Sequence, residues 1–514
     1  MTAIAQKSRK YNRSIFRASY SRATRTHIIE PHPYRNAFQR DRDRILYSKE
    51  FRRLSGKTQV FVAGFDDHMR TRLTHTLEVA QLADTISRAL RLDDILTEAI
   101  AYGHDVGHTP FGHVGERTLN FIMNGCTEYY GYNHAKKMGA NSKGFKHNLQ
   151  SIRVVTELEN PYKNNSGLNL TRYTLWGIKN HTKTYYKEKD CEYYQDGKCR
   201  YKNFGTGCVC TNGQLSVDFY NNVIVVDNNS QELLVDDRDW TFEALVVAYA
   251  DEIAQRHHDI EDGLFAGIID IKDLLVNIEK NFSYKLSEAE IQKLQKFRSS
   301  QKVRDVLPDI SRILINLYTT HYINEMRLLF KNLVTEFKIK GNRNFQELHG
   351  DIYHYLTSDN PKINNNIIGE EFIRADDSFK EYLKNIILHS ELAQRMDGKA
   401  TYIIRQLIKA YLTNPQQLPD STMVSIWRNY LSISGAKMIN EFDKTSIELL
   451  SSNARNGVAK ALKENVEDTD DKNSVIKQVL LRKACDHIAG MTDNFAYMQY
   501  ESLYGTNPHK RNSM

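Results

Sequence analysis

Proline and glycine are scarce in this chain, 9 and 26 of 514 residues, which excludes collagen-like, linker-dominated and largely disordered architectures. Six cysteines in that length make no disulfide framework and predict a reducing, cytoplasmic location. No apolar run approaches the roughly 18 residues of a membrane span; the longest candidates, such as Leu245 to Ala250, are core-sized. The N-terminus carries basic residues with no apolar stretch behind them, so no secretory signal is expected. A soluble protein with no membrane partner follows, and 40% hydrophobic residues suffice for a large buried core.

The net charge of +7 is concentrated at one end. Residues 1–44 hold eleven Lys or Arg against Glu30, Asp41 and Asp43, which is +8, so the remainder sits at −1. Such a basic arm suits a polyanion, a nucleic acid or the phosphates of a nucleotide, although a solvated tail satisfies the same composition.

The texture of the rest is helical. Val79, Leu82, Ala83, Ile86 and Leu90 recur at a 3.6-residue period and predict a helix over 71–91. Asp93 and Asp94 are N-cap residues for a second helix ending near His104, and Phe242, Leu245, Val246, Ala250 and Ile253 predict a third over 241–258. Helical patterns also fill 285–336, 366–412, 422–463 and 473–503. Between Tyr185 and Asp237 the chain turns rich in Gly, Asn, Tyr and Cys, with an alternating run from Val217 to Val226 and an Asn212-Gly213 turn, which reads as a small β-rich insertion. The expected fold is all-α: a multi-helix bundle around a metal, interrupted by this cysteine-containing insertion.

His75, the pair His104-Asp105, and Asp251 carry the chemistry. They fall on three predicted helices, and a bundle can aim all four side chains at one point. Two imidazoles and two carboxylates suit Mn or Mg, with Fe, Co or Zn also compatible, and leave coordination positions for water and a phosphate oxygen. A lone His75 or Asp251 would ordinarily be a hydrogen-bonded core residue. The run from Gly103 to Glu116 is different: after His104-Asp105, a turn rigidified by Gly107, Pro110, Gly112 and Gly115 presents His108, His113 and Glu116, a density of His and acid with no packing rationale.

This pattern resembles the HD-domain phosphohydrolases, and the surrounding text resembles one branch, the deoxyguanosine triphosphate triphosphohydrolases. The matching segments run from Phe38 to Ile45, Phe51 to Phe61, Arg70 to Ala80, His104 to Glu116, His258 to Gly263 and Asp486 to Asp493. The similarity covers 35–265 and 480–505, whereas 270–480 matches nothing recognisable. The resemblance implies hydrolysis of dGTP to deoxyguanosine and intact triphosphate, with attack at the α-phosphorus. It implies metal ligation by His75, His104, Asp105 and Asp251, catalysis by His113 with Glu116 orienting its ring, and a proton-capable or phosphate-contacting role for His108. Whether His113 activates water or protonates the leaving oxygen is left open. Arg72, one turn before His75, would clamp a phosphate. Gln59 and Asp259 match positions that hydrogen-bond the sugar 3′-hydroxyl. At Gln255 relatives carry a Tyr that packs on the deoxyribose, so this chain lacks the flat ring that would exclude a 2′-hydroxyl. Family members are often homo-oligomers responding to nucleotides or single-stranded DNA, which makes a dNTP or single-stranded DNA effector a further expectation for the arm and for Arg40, Arg42, Arg44, Arg52 and Arg53.

Cys191, Cys199, Cys208 and Cys210 lie within the insertion. A structural zinc and four separate thiols are both compatible, the Cys-x-Cys and long gaps weighing against zinc. The expected organisation is a basic arm over 1–34, a catalytic core over 35–184 and 238–270, the insertion over 185–237, and a helical region over 271–514. Two competing readings keep the same site: an HD phosphohydrolase for another nucleotide, and a nucleotide- or DNA-binding regulator that no longer turns over.

Overall fold

The computed structural model describes residues 14–59, 70–123, 144–162, 167–182, 194–195, 198–199, 237–298, 303–357, 368–433, 447–464 and 475–505. The fold is all-α, as the periodicities require. The helices that build the site are α1 (Arg72–Leu90), α2 (Asp94–Gly103), α3 (Gly112–Met123), α4 (His147–Arg153), α5 (Arg172–Asn180), α6 (Phe242–Phe265), α7 (Val475–Ala489) and α8 (Asp493–Tyr504).

Helix α1 starts where Thr71 caps Thr74 N and stops at Arg91, whose φ of 60° is left-handed. Its predicted apolar stripe is buried, from Val79 through Leu82, Ala83 and Ile86 to Leu90. Asp93 caps α2 by accepting from Leu96 N. Helix α6 runs to Phe265, beyond the 241–258 span expected, because Ile260 and Leu264 continue the stripe into the core. Helix α1 packs between α2 and α6, and α5 lies against α2, α4 and α6. Their shared core contains Ile86, Ile100, Ile178, Val246 and Ile253, each worth about 1.5–3 kcal/mol on burial.

The long C-terminal patterns divide into pairs. The 366–412 pattern breaks at Ser390, which caps Glu391–Thr413, and the 473–503 pattern breaks at Thr492, which caps α8. Phe111, Leu119 and Ile122 on the α3 side join Ile404, Leu407, Leu480 and Ile488 in a second apolar cluster, so the His104-to-Glu116 segment lies at the seam of two cores. Within the predicted insertion, Tyr194–Gln195 pairs antiparallel with Lys198–Cys199. The run 217–226, the Asn212-Gly213 turn, and Cys191, Cys208 and Cys210 lie outside the described residues. Among the described residues no helix is long and apolar enough to cross a membrane.

Much of the described basic arm is consumed inside the fold. Arg17 pairs with buried Asp93 and Arg25 with buried Asp41. Arg40 and Arg52 donate to the Glu30 and Tyr47 carbonyls, Arg42 pairs with Glu98, Arg44 donates to the Leu168 and Asn169 carbonyls, and Arg53 pairs with Glu50.

Candidate metal centre

Three helices deliver the predicted ligands. His75 comes from the first turns of α1, His104 follows the last turn of α2 with Asp105 next to it, and Asp251 comes from α6. The turn after Asp105 is squeezed against α4: a Cβ at Gly107 would lie 2.0 Å from Ser151 N and 2.6 Å from the His147 carbonyl oxygen. Ser151 seals this contact, accepting from Gly107 N at 2.9 Å and donating to the His104 carbonyl at 2.8 Å.

Hydrogen-bond partners decide the tautomers. His104 Nδ1 lies 2.6 Å from the Ala101 carbonyl, so Nδ1 carries the proton and Nε2 presents a lone pair. That Nε2 is buried with no hydrogen-bond partner among the described residues. His258 Nε2 donates to Glu78 at 2.6 Å, which leaves His258 Nδ1 to accept from His75 Nδ1 at 3.0 Å. His75 Nε2 is then also a bare lone pair, and it faces Asp251 Oδ1 at 2.9 Å. Two acceptors at that distance repel unless a cation lies between them. Adjacent ligands on an octahedral ion with bonds of about 2.1 Å stand about 3 Å apart, so the donor set fits a divalent metal.

The ligand atoms of His75, His104 and Asp251 lie within 4.8 Å of one another. Asp105 stands slightly off, with Oδ2 3.9 Å from His104 Nε2 and ion-paired to Arg72, and Oδ1 3.9 Å from His147 Nε2. Burial alone would raise both carboxyls. The adjacent imidazoles of His75, His104 and His181 hold Asp251 below the ordinary carboxylate range, and Arg72 with His104, His108 and His147 does the same for Asp105.

The other predicted residues surround this centre. Arg72 is buried, with Nε and Nη2 unpartnered among the described residues. His108 Nδ1 accepts from Thr109 N at 3.2 Å, so its proton sits on Nε2, a buried donor without a partner among the described residues. Burial and Arg72 push its pKa well below the usual histidine value. His113 is the exposed member, its side chain 53% accessible, with Nδ1 3.4 Å from Glu116 Oε2 and its ring 5.3 Å from that of His108. The turn that presents it is left-handed at both Phe111 (φ 61°) and Gly112 (φ 60°), a strained placement for the phenylalanine. Gln59 is buried, and its Oε1 has no partner among the described residues. Asp259, two turns beyond Asp251 on α6, is pushed up to about 7 by burial, and Gln255 lies one turn from each and is partly buried.

Four residues of the cluster escaped the sequence reading. His147 Nδ1 donates to Glu116 Oε1 at 3.1 Å and its ring stacks on His108 at 4.5 Å. His181 Nδ1 lies 2.8 Å from the Ile178 carbonyl, and its Nε2 is 3.2 Å from His147 Nε2. His258 and Glu78 support His75 as described. His258 lay inside a recognised segment without a role; His147 and His181 are single histidines on separate helices, with no local spacing to flag them.

Converging His and Asp side chains on a helical bundle, with a buried arginine beside them, are the features of an HD-domain phosphohydrolase, and the HD domain family matches residues 72–256. The similarity extends well beyond that segment. The chain is 30% identical over 485 residues to a deoxyguanosinetriphosphate triphosphohydrolase-like protein of Brucella suis, covering 93% of this chain and 91% of that one. A protein of the same description in Bartonella quintana is 30% identical over 91% of this chain and 90% of its own. Deoxyguanosinetriphosphate triphosphohydrolase-like protein 1 of Mesorhizobium japonicum is 30% identical over 93% and 91%. The chain belongs to this family of deoxyguanosinetriphosphate triphosphohydrolase-like HD-domain proteins.

Proposed function

We propose that the protein hydrolyses deoxynucleoside triphosphates, dGTP preferentially, to the deoxynucleoside and inorganic triphosphate. The observation that carries this reading is Arg72. Its guanidinium is buried, fixed through one nitrogen to Asp105, and has two nitrogens without a partner among the described residues beside the metal-ligand set, which makes an anion site at the metal's edge. His75, His104, Asp105 and Asp251 would hold the ion. When bound, a divalent ion supplies Lewis-acid polarisation of a phosphoryl oxygen and acidifies water.

The chain's own groups do the rest. His108 donates a hydrogen bond from Nε2 to a phosphate oxygen, with Thr109 N holding the ring in the tautomer that keeps the proton there. His113 protonates the departing 5′ oxygen. A 5′ alkoxide leaves poorly, so a positioned acid matters there. Glu116 orients the His113 ring through Nδ1, and exposure at the rim lets His113 recover its proton from solvent. Gln59 Oε1 accepts from the sugar 3′-hydroxyl, and the Asp259 carboxyl accepts from it when ionised or donates to it when protonated. Gln255 offers no flat ring against the 2′ carbon, so discrimination against ribose is weaker than a tyrosine would provide.

The test is product analysis. Purified protein with Mn or Mg and dGTP should release deoxyguanosine and triphosphate, and His104→Ala or His113→Ala should abolish release. GTP run alongside measures the sugar gate. Release of dGMP or dGDP instead, or no product from any nucleotide with a second dNTP or single-stranded DNA present, would refute the proposal.

A further inference from the structure

Lys57 is a lysine with no exposed surface. Its Nζ donates to the His108 carbonyl at 2.5 Å and to the Ala489 carbonyl at 3.0 Å. Burial lowers its pKa to about 8, so the group is an ammonium at neutral pH. Among the described residues no carboxylate forms an ion pair with it: Glu50 is taken by Arg53, and Asp493 by Thr58 and the Phe111 N–H. A buried charge whose partners are carbonyls alone is expensive. Two carbonyls do not require it, since a neutral amide also donates. The charge itself therefore serves something other than those two bonds.

Lys57 touches both phosphate-facing residues. Its own carbonyl accepts from Arg72 N at 2.9 Å, and the neighbouring Thr58 and Thr71 form an antiparallel bridge, so this segment fixes the first turn of α1. Its ammonium fixes the turn that carries His108. One residue thus joins the backbones of Arg72 and His108, which arrive from separate segments. It also adds charge to their surroundings. Arg53 and Arg72 both depress the Lys57 pKa, the mark of like charges packed near one another. Arg72 spends one nitrogen on Asp105 and leaves Nε and Nη2 without a partner among the described residues. Neighbouring buried cations repel in the empty site and favour an anion entering it. In a low-dielectric interior the second cation acts on that anion without touching it.

We infer that Lys57 is a positioning residue of the triphosphate subsite: it holds Arg72 and His108 in register and sets a fixed positive charge beneath them. The inference rests on the phosphate-binding reading of Arg72 and His108 and deepens it. The negative charge of a triphosphate is present before, during and after the reaction. The contribution of Lys57 is therefore to binding throughout, and its loss falls on KM rather than on kcat.

The test reads anion affinity directly. Inorganic triphosphate is titrated calorimetrically into the full-length protein at pH 7 with Mn(II) in excess, for the wild type, Lys57→Met and Lys57→Gln. Methionine removes the charge and both hydrogen bonds at similar length; glutamine keeps a donor and removes the charge. Both variants should bind triphosphate at wild-type stoichiometry with a dissociation constant raised about 10-fold, the scale of one charge acting through protein. KM for dGTP should rise by the same factor, with kcat within about threefold of wild type. Wild-type affinity in either variant would overturn the inference. So would a reduced stoichiometry at an unchanged dissociation constant, which marks a residue that only keeps molecules folded. Failure of both variants to fold would overturn it too, because the ammonium would then belong to the fold. Weakened triphosphate binding in the variants, with no triphosphate release from any dNTP by the wild type, would refute the proposed activity and leave Lys57 its role at an anion site. A wild type that binds no triphosphate would refute the anion site at Arg72 and this inference with it.

Discussion

Asp493 is the most informative residue to perturb, because it ties the C-terminal helices to both walls of the site. Its Oδ2 accepts from Thr58 N at 3.0 Å and from the Thr58 hydroxyl, and its Oδ1 accepts from Phe111 N at 2.8 Å. Thr58 precedes Gln59, and Phe111 begins the strained turn into His113. Buried Lys57 adds a second strap, donating to the His108 and Ala489 carbonyls, with burial lowering its pKa to about 8. Asp493→Asn keeps the shape but only one acceptor oxygen, and sets an NH2 group against a donor. Bonds to charged acceptors contribute about 1.5–3 kcal/mol each, and a stranded buried N–H costs about 1–3 kcal/mol. The expected loss is about 2–5 kcal/mol in urea unfolding. If the proposed activity holds, dGTP turnover should also fall well before the protein unfolds, since Gln59 and His113 both lose their anchors. Wild-type stability and wild-type turnover in Asp493→Asn would refute this reasoning.

Glu243 offers a pH test away from the metal. Burial raises it to about 7, despite hydrogen bonds from Ala18 N and Asp93 N to its Oε1. A carboxyl raised in the folded state favours folding while protonated, so this contribution is present below about pH 4.5 and is lost as pH rises towards 7. The shift corresponds to about 3 kcal/mol. Glu243→Gln should flatten that decline in urea titrations at pH 5 and 8, and an unchanged pH profile would refute it. Gly107→Ala pushes a Cβ into the backbone of α4 at 2.0 Å, so thermal unfolding should show a loss of about 3 kcal/mol or more. Arg72→Lys retains charge but not the planar fork, and kcat/KM for dGTP should fall by about 10²-fold, chiefly through the lost bidentate geometry. A near-wild-type value would remove Arg72 from the phosphate clamp.

A good part of this molecule is legible before any coordinate is known. The stripe at Val79, Leu82, Ala83, Ile86 and Leu90 specifies α1 because its period admits one buried face. The His104-to-Glu116 run announces chemistry because its residues are local in sequence, and a turn of known stiffness keeps them local in space. Other expectations needed the fold. The arginines before residue 54 are compatible by composition with a polyanion site, a solvated tail or salt bridges between helices; their partners at Asp93, Asp41, Glu98 and Asn169 lie outside any local pattern that could record the pairings.

The metal centre divides in the same way. Sequence by itself determined that His75, His104, Asp105 and Asp251 belong together, through their order and the segments around them. Only the tertiary structure decided which atom of each ring faces inward, that Asp105 turns one oxygen towards each histidine group, and that His147 and His181 complete the cluster. The reason is physical: a tautomer is set by whichever acceptor packing brings to Nδ1, and convergence of single histidines from separate helices is a property of how those helices pack.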